Sequence, residues 1–158
     1  MRGRAFSGCR AAVLSSGAIM KFSDVTPNLV VSDVERSLAF YRDVLGFSLV
    51  TTVPETAPFA FAWMRRDSVD VFLNSVEAVR ADHPELASRP LGGTATLFIV
   101  LEAESVGEGV DAMLASIGER AHVAMPMKDQ FYGMREFAID DPDGYLITFA
   151  QQLPKPSA

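Results

Sequence analysis

The sequence predicts an α+β fold: two paired βαβββ modules whose eight strands form a cleft-like sheet. Three observations carry that prediction. A helix-start pattern with a serine three residues ahead of a glutamate occurs twice, as Ser32-Asp33-Val34-Glu35 and as Ser105-Val106-Gly107-Glu108. A glycine placed to stop each helix follows, Gly46 and then Gly118; the serines lie 73 residues apart and the glycines 72, so two signals at nearly one offset indicate an internal repeat. The third is the stretch from Gly133 to Gln151, where the alternating runs Arg135/Phe137/Ile139 and Tyr145/Ile147/Phe149 flank Asp141-Pro142-Asp143-Gly144. A fixed proline φ followed by a permissive glycine suits a tight reversal, so this stretch reads as a β-hairpin closing the second repeat.

Each element has its own justification. Val25 to Val31 alternates as a strand, and Val34, Leu38, Tyr41 and Leu45 then fall on one face of a helix. Strands follow over Phe47 to Val53, Phe59 to Met64 and Val69 to Asn74, with Arg65 to Ser68 as a tight connection. Residues 75–93 contain Pro84, Pro90 and Gly92-Gly93 and read as a linker, with room for a short helical turn over Val76 to Ala81. The pattern then repeats: a strand over Thr94 to Leu101, a helical face of Val110, Met113, Leu114 and Ile117, and strands near Ala121 to Met125, Met134 to Ile139 and Tyr145 to Gln151. A half alone would leave one face of a four-stranded sheet bare, and pairing the halves buries it. The predicted organisation is therefore a domain over 21–152, with modules over about 22–75 and 94–152, and a C-terminal tail over 153–158.

Composition narrows the partners. The chain is 49% hydrophobic and 22% charged, which argues against disorder. A formal net charge of −6, with no basic cluster beyond Arg65-Arg66, disfavours nucleic acid. The longest apolar runs fall far short of the roughly 20 residues a bilayer span needs, so no membrane partner is expected. Cys9 is the single cysteine and cannot form an internal disulfide, which makes the cytoplasm the expected compartment. Arg2, Arg4 and Arg10 ahead of Ala11-Ala12-Val13-Leu14 mimic a targeting signal, but Ser15-Ser16-Gly17 breaks the apolar run early. Residues 1–20 are read as a disordered extension, upstream of a start at Met20.

The elements Ser32 to Tyr41 with Leu45-Gly46-Phe47, and the closing Asp141-Pro142-Asp143-Gly144-Tyr145, resemble the vicinal oxygen chelate superfamily, home of glyoxalase I, extradiol dioxygenases and bleomycin-resistance proteins. The resemblance covers roughly Phe22 to Gln152. Both motifs serve structure, so they imply a fold more than a function. Metal enzymes of that family hold a divalent ion with His, Glu or Gln from the first and last strands of each module. Aligned with them, this chain presents Thr26, Phe72, Thr96 (or Thr94 on the same strand face) and Thr148. Phenylalanine cannot coordinate and threonine hydroxyls are poor ligands, so neither a metal nor any other cofactor is expected. His83 and His122 fall away from those positions, and no nucleophile elbow, P-loop or dinucleotide turn occurs.

What remains is a cleft for an organic ligand of mixed polarity. Strand alternation adds Asn28 and Asp70 to the aligned faces, with Asp70 as the lone acid: a solvated strand end or a cation anchor. Phe59, Phe61 and Trp63 share a strand face, and the repeat offset sets Trp63 opposite Phe137, which favours core packing over ligand stacking. Phe131 and Tyr132, flanking Gly133, suit a lid. The run Tyr132 to Ala138 is similar to that of bleomycin-binding proteins, which implies an acidic, metal-free homodimer sequestering a cationic or aromatic drug; Glu136 then either enters the cleft or forms a hairpin salt bridge. Two other readings stand beside this one. One is a lyase, isomerase or dioxygenase with a displaced metal site, which needs Glu136 or Asp70 to converge with His122. The other is an interaction module with an occluded cleft.

Overall fold

The computed structural model describes residues 23–93, 95–105 and 107–154. Within them the chain runs β1 (Asn28–Val31), α1 (Val34–Asp43), β2 (Ser48–Val53), β3 (Phe61–Arg66) and β4 (Val69–Ser75), then the short helices α2 (Val76–Asp82) and α3 (Pro84–Ala87). The second half follows as β5 (Thr96–Val100), α4 (Val110–Ile117), a 3₁₀ turn (Gly118–Arg120), β6 (Val123–Asp129), β7 (Met134–Asp140) and β8 (Leu146–Gln152). Two four-stranded sheets result, ordered β1-β4-β3-β2 and β5-β8-β7-β6. In both, the strand before the helix pairs in parallel with the last strand of its module and the other pairings are antiparallel, so the repeat read from the sequence is a repeat of topology.

The helix signals act where expected, with altered partners. Asp33, one residue after the expected serine, caps α1 by accepting from Arg36 N at 2.9 Å, while Ser32 turns its hydroxyl to Asp143. Gly46 ends the segment at φ +72°, a conformation open to glycine. In the second half Ser105 and Glu108 bond each other, but α4 itself begins at Val110, whose N–H donates to Gln151 Oε1 at 3.0 Å. A strand from the far end of the chain supplies that cap. A Cβ at Gly109 would meet the amide end of the Gln151 side chain, so a larger residue there would have to displace the cap. The linker holds more helix than expected, since Ser75 caps α2 by accepting from Ala78 N at 3.1 Å. β1 starts three residues later than its predicted strand, which leaves Thr26 ahead of it, and β6 runs on to Asp129.

Alternation sorts the sheet faces. Leu29, Val31, Ala62, Met64, Val71 and Leu73 of the first sheet, with Phe137, Ile139, Ile147 and Phe149 of the second, point toward α1 and α4 and join one hydrophobic core. The opposite face of the first sheet carries Phe61, Trp63, Asp70, Phe72 and Asn74, all half-buried. Trp63 is therefore not a core residue opposite Phe137. The residues matching Phe137 are its strand neighbours Ala62 and Met64, and a register error of one residue flips a strand side chain to the other face.

Candidate ligand-binding site

On the open face of the first sheet, the β3–β4 register sets Trp63 beside Phe72 and Arg65 beside Asp70. Phe72 meets both neighbouring rings edge-on, with centroids 5.3 Å from Phe61 and 5.6 Å from Trp63. Asn74 donates its amide to Asn28 across the β1–β4 pair. Asp70 accepts from Trp63 Nε1 at 2.8 Å and from Arg65 Nε and Nη2 at 2.7 and 2.8 Å, and the guanidinium lies 4.9 Å over the Trp63 ring. The hydrogen bond from Arg65, reinforced by that from Trp63, lowers the Asp70 carboxyl to about 2. Asp70 is thus neither a solvated strand end nor a free cation anchor; its charge is already paired.

On the second sheet, Thr148 lies between Phe98 and Ala138, and Glu136 beside Ala150, on the face opposite Phe137. Glu136 is only 3% exposed, and Tyr132 donates its hydroxyl to both carboxylate oxygens at 2.9 and 3.0 Å, which raises the Tyr132 hydroxyl above its usual value. Arg135 points the other way and pairs with Asp111 at 3.0 Å, so it is not the partner of Glu136. Gln130 to Gly133 form a turn, closed by Gly133 N donating to Gln130 O at 3.0 Å, that presents Phe131 and Tyr132 edge-on at 5.0 Å. Phe131 is 98% exposed and touches little else.

The candidate residues therefore fall in three places: Asn28, Asp70 and Phe72 on the first sheet, Thr148 and Glu136 on the second, and Phe131 and Tyr132 in the turn beside it. Asp70 and Thr96 meet along a cavity of about 320 Å³ that runs from Asp24 and Val25 along β5. Thr26 stands just before β1, and Thr94 and Cys9 lie outside the described residues. Trp63, expected in the core, and Arg65 join this face as well. A two-residue reversal at Asp67-Ser68 fixes the cross-strand pairs, so the opposite charges of Arg65 and Asp70 were a usable signal.

The donor set does not fit a divalent ion. Amides, threonine hydroxyls, a phenylalanine and two carboxylates on different sheets, Glu136 held by Tyr132 and Asp70 held by Arg65, offer no cluster of imidazole or carboxylate ligands. Among the described residues no three His, Cys, Asp or Glu side chains are placed to hold a metal. His122 bonds Asp140 at 2.8 Å at the far end of β7 from Glu136, so it converges with neither Glu136 nor Asp70. A larger cavity, about 680 Å³, opens elsewhere, between the β3–β4 turn, the end of β5 and α4.

A chain of two βαβββ modules, each with its first strand parallel to its last in a four-stranded sheet, is a paired-module α+β protein. The Glyoxalase/Bleomycin resistance protein/Dioxygenase superfamily matches residues 21–149, and the chain is a member of that family. It is 33% identical over 134 residues to the bleomycin resistance protein of Geobacillus stearothermophilus, covering 80% of this chain and 95% of that one. It is 30% identical over 129 residues to the lactoylglutathione lyase of Haemophilus influenzae, covering 78% and 87%. Among solved structures it is similar to TnmS3, an antibiotic binding protein from Streptomyces sp. CB03234, with a TM-score of 0.62 and 27% identity over 85% of this chain and 99% of that one. No helix among the described residues is long and apolar enough to cross a membrane.

Proposed function

We propose that this protein is a metal-independent small-molecule-binding protein that sequesters an aromatic organic ligand, acting as a homodimer in the cytoplasm. The observation that carries the reading is the Phe61, Trp63 and Phe72 cluster on a sheet face turned away from the core, with no metal-ligand set beside it. Half-buried rings in a polar setting suit stacking on a flat ligand. Kinship with a bleomycin resistance protein and an antibiotic binding protein supports a binding role. Exposed Val53, Phe98, Val100 and Phe131 support a second copy completing the cleft.

Thermal melting of the full chain tests the reading. An uncharged planar aromatic such as 2-naphthalenemethanol at a hundredfold excess over its dissociation constant is expected to add about 3 kcal/mol, or roughly 5 to 10 °C, while divalent metals and chelator leave the midpoint unchanged. A metal that stabilises reversibly with chelator overturns metal independence. Sedimentation at micromolar concentration is expected to show a dimer, and a monomer there removes the shared cleft.

A further inference from the structure

We propose that Arg65 sets the charge preference of this site. By occupying the carboxylate of Asp70, it leaves the aromatic face of the first sheet to uncharged planar ligands and turns away aromatic cations. The inference rests on the small-molecule-binding reading above.

Asp70 is the one acid among the side chains that share this face with Phe61, Trp63 and Phe72. A carboxylate beside three aromatic rings would ordinarily attract an organic cation, by ion pairing and by the negative faces of the rings. A chain of net charge −6 would add to that attraction. Both oxygens of Asp70 are taken, however, by the Arg65 fork and the Trp63 indole, at 2.7 to 2.8 Å. The Asp70 side chain is 12% exposed and the Arg65 side chain 48%, so an approaching ligand meets the guanidinium first. A cation reaching Asp70 must displace a bidentate charge-assisted pair, the strongest geometry available to a carboxylate. With Arg65 gone, Asp70 and nearby Asp24 are left unopposed next to Trp63.

Trp63 is the only tryptophan in the chain, and its indole N–H is the group that donates to Asp70. Its single indole resonance in a ¹⁵N-correlated spectrum of the full chain therefore reports binding at this face. The probes are 2-naphthalenemethanol and 2-naphthylmethylammonium, which share a ring system and differ in charge. The wild-type chain is expected to bind the alcohol at least as tightly as the ammonium. Arg65→Met is expected to move the affinity ratio at least tenfold toward the ammonium, and adding Asp70→Asn to that variant is expected to cancel the shift. If Arg65→Met does not fold, Arg65→Lys, which keeps the charge and loses the fork, is expected to move the ratio about threefold.

A wild-type chain that already prefers the ammonium tenfold overturns the proposal, as does a folded variant whose ratio stays within twofold of wild type; in both cases the binding reading survives. If neither probe moves the Trp63 resonance of the wild-type chain, the binding reading for this face falls, and the proposal with it.

Discussion

The two places where one module meets the other share a plan and are finished differently. Where the β7–β8 turn meets α1, Asp141 accepts from the N–H groups of Asp143 and Tyr145 at 2.9 Å each and from the buried Tyr41 hydroxyl at 3.3 Å. Asp143 accepts from Ser32 at 2.6 Å and Arg36 at 3.0 Å, and the Tyr145 hydroxyl donates to Val30 O at 3.0 Å. Where the β3–β4 turn meets α4, Arg66 reaches the Met113 sulfur at 3.7 Å, and the cavity of about 680 Å³ remains. The cause is the turn itself. Asp141-Pro142-Asp143-Gly144 is long enough to carry two acids to the helix, whereas Asp67-Ser68 is a bare reversal with Asp67 at φ +52°. Polar fastening is concentrated at one seam, and the other has only scattered arginine contacts, Arg66 to Met113 and Arg120 to Asp43 O, beside its cavity.

The sharpest way to break this contrast is Asp141→Ala. It strands the Tyr41 hydroxyl and two turn N–H groups, with an expected loss of about 3 kcal/mol or more by chemical denaturation. Gln151→Ala tests the open seam from its own side: it removes the acceptor for Val110 N and the donor to Ala103 O and Ser105 O, with an expected cost of about 2 kcal/mol and early loss of amide protection in α4. A smaller effect separates two acids by pH. Burial holds the Asp141 carboxyl above its ordinary range, so its contribution falls as pH rises from about 4 through its folded value. Asp70 is held low, so its contribution is lost as pH falls from the ordinary carboxylate range through about 2. Stability differences from the two Asp→Asn variants are expected to slope in opposite directions, and equal slopes would dissolve the distinction. The mildest change is Ala112→Leu, which adds apolar bulk to the cavity wall and is expected to stabilise by about 0.5 kcal/mol in thermal melting.

Most of the fold was legible because its signals are local. Helix stops, the hairpin turn and the spacing of Val34, Leu38 and Tyr41 all act within a few residues of where they are written. The capping partners were less so: Gln151 reaches Val110 across 41 residues and Asp141 reaches Tyr41 across 100, and nothing in the order of residues announces such pairs. At the candidate face, alternation alone groups Asp70, Phe72 and Asn74, but the repeat offset is one residue off for Trp63 and so sets it on the core side; the arginine beside Asp70 follows from the two-residue turn between them.

Gly92 anchors the linker to the hairpin of the second module. It stands at φ +69°, where a Cβ would press into the backbone of Asp143 and Gly144, so the connection between the modules is pinned to the fastened seam just before the second module begins. The exposed stretch at Ser88 and Arg89 upstream of it carries little of that hold. A chain cleaved there is expected to survive as two complementing fragments, the second keeping Gly92 as its own foothold on the β7–β8 turn, so that covalent continuity between the halves becomes dispensable once the seam has formed.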